Sequence, residues 1–308
     1  MQSLNQKTLL SPVSFKGIGL HSGLVSNVRL IPAEANSGVI FKRVDVEKNN
    51  LIRANFKNVS SSKLCTTLSN SEGVSVSTVE HLLASFYIAG IDNVIVEINN
   101  LEVPIMDGSS KDFIALIKQT GLKELEAKRK FLKILKKVEF KENEKTISIE
   151  PSDNTFEVNF QLGYKNKVIG NQKNSINFQT DNLEDIYTSR TFCLFEDIEK
   201  IKEIGLAKGG SLDNAVVVKD NEILNEGGLR NKKEFVNHKI LDLAGDFLLS
   251  GYRIIGIVKC NQGGHYLSNT FLKEIFNDSS NFAPIDLNNV QIVEKNFKSP
   301  INKLAVNA

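Results

Sequence analysis

The sequence predicts an α+β protein of two consecutive domains, each a β-sheet layered with helices, with a cleft between them. Short alternating apolar segments, punctuated by Gly and Pro, open both halves of the chain. Each half then carries a strongly helical stretch that runs into a further strand: residues 77–90 before NVIVEI, and residues 231–251 before YRIIGIVKC. A lysine-dense run, residues 123–137, reads as a solvated connection and puts the boundary near Ala127, giving units 1–126 and 127–308.

At 308 residues the chain can bury two ordinary cores. A composition of 41% hydrophobic and 24% charged residues is that of an ordinary globular protein. The net charge of +2 gives no strong attraction to nucleic acid or to an anionic membrane. Cys65, Cys193 and Cys260 form neither a CxxC pair nor a disulfide framework, which suits a reducing cytoplasm. The start, MQSLNQKTLLSPVSF, lacks the apolar core of a secretory signal. No apolar run approaches the roughly 20 residues that span a bilayer. A cytoplasmic protein with at most a peripheral membrane contact is expected, and nucleic acid is not expected as a partner.

Within residues 8–53, VSFKGIGLHSG, SNVRLIPA and GVIFKRVD read as strands and turns. GIGLHSG matches no phosphate-cradle fingerprint, so its glycines read as tight turns and His21 as a structural residue. In STVEHLLASFYIAG, Ser77 and Glu80 have capping-box spacing and Gly90 is the stop. Glu80 then caps the helix and His81 is half-buried, or else the pair is a metal ligand with a base beside it. VPIMDGSS turns sharply at Asp107 and Gly108, and Ser109 starts the helix DFIALIKQT before Gly121.

The second half opens with the strands TISIE, FEVNFQLGY and SINFQT. Beyond Thr191 and Phe192 comes a helical stretch with apolar Ile198, Ile201 and Ile204, broken at Gly209 and Gly210. Its apolar residues read either as core or as the lining of a groove for an acyl chain. The helix of residues 231–251 is expected to be amphipathic, with Val236, Ile240, Leu243 and Phe247 facing a core. Asn231 and Glu234 are its expected capping pair and Gly251 its stop. His238 and Asp242 lie one turn apart, with Asp246 a turn further on. Taken alone, HxxxD reads as an ion pair on a solvated face. His265, in NQGGHYLSN, is expected in a loop after a strand, where catalytic groups often sit.

The chain holds four histidines, and three of them (His81, His238 and His265) adjoin acidic or glycine-rich features. His81 and His238 with Asp242 make three nitrogen and oxygen ligands and leave a fourth position open, the composition of a catalytic zinc site. Because His81 and His238 come from different halves, such a site lies in a cleft. If Cys65 supplied a fourth ligand, the site would be closed and structural.

STVEHLLAS, VPIMDGSS, SRTF, GLAKGGSLDNAVVV, LNEGGLR, FVNHKILDLAGD and the GGH ending at His265 together resemble the UDP-3-O-acyl-N-acetylglucosamine deacetylase family. The resemblance runs in order from GIGLHSG to about Phe276. It implies a zinc amidase that removes an N-acetyl group at the committed step of lipid A synthesis, with His81, His238 and Asp242 holding Zn2+. It also implies Glu80 as general base, and His265, oriented by Asp246, as the cation that stabilises the oxyanion and protonates the amine. Thr191 would hydrogen-bond the oxyanion, and Lys239 would sit near the scissile amide and the substrate's charge. Phe192 and the apolar segment 191–206 would form an acyl passage, and Gly210 would contact the substrate. The implied partner is a UDP-sugar carrying an acyl chain, and a monomer is expected. The family's Asp-Phe and His-Pro pairs are missing at residues 163–167, where the chain reads Gly-Tyr-Lys-Asn-Lys. Tyr164 is left to stack on the base, and Lys165 and Lys167 to meet the diphosphate. The alternatives are a zinc amidase for another N-acetylated sugar or acyl amide, and a non-catalytic metal clip.

Overall fold

The structure is a computed structural model and describes residues 4–285. It is an α+β fold with two large sheets. A five-stranded sheet has the order Val13–Ile18, Val25–Pro32, Val94–Ile98, Val39–Arg43, Leu51–Arg53. Its strands alternate buried and less buried positions, as in Val25–Pro32, because one face packs on the core. A seven-stranded sheet is centred on Arg253–Asn261, which pairs with Lys145–Glu150, Phe131–Ile134 and Phe156–Gly163. Three small sheets complete the fold.

Six helices lie among the described residues: α1 Glu80–Ala89, α2 Lys111–Thr120, α3 Glu184–Tyr187, α4 Phe195–Glu203, α5 Glu234–Leu248 and α6 His265–Asn277. Helices α1 and α5 pack directly against each other, and α5 and α6 lie on strands of the seven-stranded sheet. One continuous apolar core joins Leu82, Leu83 and Phe86 of α1 to Ile240, Leu243 and Phe247 of α5.

Several expectations are corrected by packing. Helix α5 is not amphipathic: apart from Lys239 and Leu248 it is buried along its whole length, so His238 and Asp242 lie on no solvated face. Its start is not a capping box, since no side chain caps it and Glu234 instead receives hydrogen bonds from Arg190 at 2.7 Å and 3.2 Å. Gly251 does follow the helix end in a left-handed conformation, with φ 76°. Ser77 does not cap α1 either: its hydroxyl donates to the Leu101 carbonyl, while Glu80 accepts from Thr66. Gly90 closes α1 with φ 79°, as its sequence position predicts.

The lysine-rich run is two strands, Leu122–Lys128 and Phe131–Ile134, the first paired with Asn5–Leu9. Its lysines occupy exposed positions around inward residues, a pattern that reads as solvated when the partner strand is unknown. Helix α4 ends at Glu203, ahead of Gly209 and Gly210, because Gly205 turns left-handed at φ 81°. His265 opens α6 and does not sit in a loop. No helix among the described residues is long and apolar enough to cross a membrane.

Candidate active site

Where α1 crosses α5, the backbones nearly touch. A Cβ on Gly245 would fall on the Glu80 carbonyl oxygen, so only glycine permits the crossing. This closeness sets the first turn of α1 beside the middle of α5. His81 Nε2 lies 3.4 Å and His238 Nε2 3.3 Å from the same oxygen, Asp242 Oδ1. The two rings stand edge to face with centroids 4.9 Å apart. His238 Nδ1 faces the Ser189 carbonyl at 3.1 Å, which leaves Nε2 as the free lone pair.

The three ligand atoms lie within 4.8 Å of one another. Zinc–ligand bonds of about 2.0–2.1 Å at the tetrahedral angle separate ligand atoms by about 3.4 Å. Asp242 Oδ1 is buried without a hydrogen-bond partner, and so is His81 Nδ1. A carboxylate oxygen left that way costs heavily unless a cation satisfies it, so the donor set fits a metal. Burial drives His238 down to a pKa of about 3 against the pull of Asp242, which keeps the imidazole neutral. Burial alone would raise Asp242, but His238, Lys239 and His265, with His81 beside it, hold it well below the usual range. Cys65 is outside this group: its buried thiol is pushed up to about 12, first by desolvation and then by Glu80.

Glu80 and His265 stand beside the cluster. Glu80 Oε1 is 3.5 Å from His265 Nε2, which is 3.9 Å from Asp242 Oδ2. His265 Nδ1 meets Asp246 Oδ2 at 3.0 Å. Burial would lower the pKa of His265, but Asp246, Glu80 and Asp242 outweigh it and raise it to about 10. Glu80 is shifted above the ordinary carboxylate value by burial, with His265 and His81 opposing. Lys239 Nζ donates to Asp242 Oδ2 at 2.9 Å and sits 5.6 Å from the centre of the Phe192 ring.

Thr191 is held by its backbone, its N–H donating to Gly108 and its carbonyl accepting from Val216, both at 2.8 Å. It helps to line an apolar groove of about 410 Å³. Phe192, Gly210, Ile198 and Ile201 also line that groove, as does His21, both of whose ring nitrogens are buried without partners. The Phe192 ring packs edge-on against Tyr164 and His238, and thereby joins groove to cluster. A larger concavity of about 730 Å³ lies on the seven-stranded sheet and is lined by none of the cluster residues. Tyr164, Lys165 and Lys167 are exposed, and Asn166 ties their turn to the Asp220 carbonyl. The glycine turn at Gly19–Gly23 is no phosphate cradle, since Glu102 accepts the His21 and Ser22 N–H groups.

His81, His238, Asp242, Glu80, His265, Asp246 and Lys239 lie together in one cluster, Thr191, Phe192 and Gly210 line the groove, and Lys165 and Lys167 lie on an exposed turn. Sequence reasoning missed Thr66, Gly245 and the Arg190–Glu234 pair. Thr66 lies outside the quoted motifs, Arg190 and Gly245 lie within them with no role assigned, and each matters through a partner distant in sequence.

Such an assembly defines a class: a protein with a candidate His–His–Asp metal centre beside an apolar groove, an arrangement suited to hydrolysis. Comparison with known proteins resolves the class further. The model of the LpxC family, UDP-3-O-acyl N-acetylglycosamine deacetylase, matches residues 6–277. The UDP-3-O-acyl-N-acetylglucosamine deacetylase of Nautilia profundicola is 43% identical over 273 residues, covering 88% of this chain and 92% of the relative. Those of Pasteurella multocida and a Psychrobacter species are 40% and 38% identical over 98% and 96% of this chain, and 99% and 100% of the relatives. The chain belongs to this family of deacetylases, which are metalloenzymes.

Proposed function

We propose that the chain uses Zn2+ to remove the N-acetyl group of UDP-3-O-(3-hydroxyacyl)-N-acetylglucosamine, releasing acetate, at the committed step of lipid A synthesis. The observation that carries the reading is the junction of a buried His–His–Asp cluster with an apolar groove at Thr191 and Phe192. His81, His238 and Asp242 would hold the metal, which when bound would supply Lewis acidity and lower the pKa of water at the site.

The rest is done by the chain. Glu80 takes a proton from the attacking water. His265, kept protonated by Asp246 and the neighbouring carboxylates, faces the negative charge that develops on the carbonyl oxygen. The Thr191 hydroxyl donates to the same oxygen, and Lys239 adds a half-buried positive charge beside it. His265 then passes its proton to the amine nitrogen as the carbon–nitrogen bond breaks. Phe192 and Gly210 border the passage for the acyl chain. Tyr164 stacks on the uracil, and Lys165 and Lys167 meet the diphosphate.

We further infer two units, 1–126 and 127–308. In support, the five-stranded sheet draws on no strand beyond Val94–Ile98, and the seven-stranded sheet on none before Phe131–Ile134. Because every proposed site residue comes from one chain, a monomer suffices. Three free thiols suit the cytoplasm.

Metal analysis and a deacetylation assay test the reading together. Purified protein is expected to carry about one zinc ion, and His238→Ala to lose both metal and activity. A fully active, metal-loaded His238→Ala protein would overturn it. Loss of turnover on truncating the nucleotide is expected if Tyr164 and the lysines bind it.

A further inference from the structure

Thr66 lies outside every motif noted in the sequence, yet it touches both proton-handling carboxylates of the site. It is fully buried in the turn before the short strand Thr67–Ser69. Its backbone N–H donates to Glu80 Oε2 at 3.0 Å. Its hydroxyl donates to Asp246 Oδ1 at 2.6 Å, a short bond of the charge-assisted kind. It also accepts from Asn269 Nδ2 at 3.3 Å, and the same Asn269 nitrogen donates to the His265 carbonyl at 2.9 Å. Thr66 therefore contacts α1, α5 and α6 at once.

The choice of oxygens matters. Thr66 occupies Oε2 of Glu80, and the other oxygen, Oε1, faces His265. It occupies Oδ1 of Asp246, and the other oxygen, Oδ2, receives His265 Nδ1. With one oxygen of each carboxylate tied to a single residue, neither group can rotate without breaking a buried hydrogen bond. The chain near it is held in rare conformations: Leu64 and Thr78 have φ of 67° and 56°, and Thr78 is β-branched. Such strain persists where the surroundings impose it, often at functional sites.

We propose that Thr66 is a positioning residue for the reaction: it fixes the planes of Glu80 and Asp246, and through Asp246 the orientation of His265. This rests on the reading of the site given above.

Thr66→Val removes the hydroxyl while keeping the shape and the backbone N–H. Its kcat is expected to fall by about tenfold to a hundredfold, the usual loss for a group that orients catalytic ligands, with KM and zinc content unchanged. Thr66→Ser keeps the hydroxyl and is expected to restore most of kcat. In an Asp246→Asn background, Thr66→Val should cost less than about twofold more, because both changes act through one contact. If Thr66→Val does not fold, as judged by circular dichroism, Thr66→Ala takes its place in the same comparisons. An unchanged kcat, a loss confined to KM, or a serine variant as impaired as valine would overturn the role of Thr66. A fully active Asp246→Asn enzyme would overturn the reading of the site itself, and the role with it.

Discussion

His265 shows how one residue's surroundings set its chemistry. An imidazole in water is mostly neutral at pH 7. Here three carboxylates overcome burial and keep it charged. Its raised pKa also bears on stability. The contribution is fully present below about pH 6.5 and is lost as pH rises through about 10. In the proposed reaction Glu80 has the opposite requirement, since a base must be deprotonated, and burial moves its acid limb upward from the ordinary value. Activity should thus follow a bell, with an acid limb from Glu80 and an alkaline limb toward about 10 from His265. His265→Ala should lose about a hundredfold or more in kcat and show a single limb in its pH–rate profile. An unchanged bell would remove His265 from its proposed role.

The decisive contact between elements is the α1–α5 crossing. One glycine lets the two backbones meet, and that contact brings His81 to His238 and Asp242. A methyl group at Gly245 has no room, because its obstacle is the rigid Glu80 carbonyl and not a flexible side chain. Gly245→Ala should destabilise the fold by about 1–3 kcal/mol and reduce metal affinity, read by thermal unfolding and zinc titration. A variant with native stability and affinity would show that the helices can part without harm. On the far side of the crossing, Arg253 donates to the carbonyls of Tyr87 and Ile91 at the end of α1 and pairs with Asp92. A residue at the start of a second-sheet strand thus holds the α1 terminus in place.

For the whole molecule, metal and fold are coupled. Asp242 Oδ1 and His81 Nδ1 are buried without partners, so removing a cation leaves desolvated polar groups at the junction of α1 and α5. Chelation should abolish deacetylation and lower the unfolding midpoint, and added Zn2+ should restore both. At a free metal concentration a thousand times the dissociation constant, the stabilisation is about 4 kcal/mol. Equal midpoints with and without metal would separate the cluster from the fold. The apolar groove draws on Leu20 and His21 from the first half and on α4 from the second, so both halves shape it.

Local geometry made much of this legible in the sequence alone. Strands such as Val94–Ile98 and Arg253–Asn261 follow from β-rich runs bounded by turn residues, and Gly90 from the need for positive φ. The spacing of His238 and Asp242 put them on one face because a helix repeats every 3.6 residues. Family motifs then carried the remaining site residues. Only the tertiary structure decided that α5 is buried apart from Lys239 and Leu248, that His265 begins a helix, and that Thr66 links Glu80 to Asp246. Each of these depends on groups far apart in the chain, as Thr66 and Asp246 are separated by 180 positions. Periodicity reports how a segment can fold, whereas the burial and charge of its polar side chains are set by the layer that packs over them.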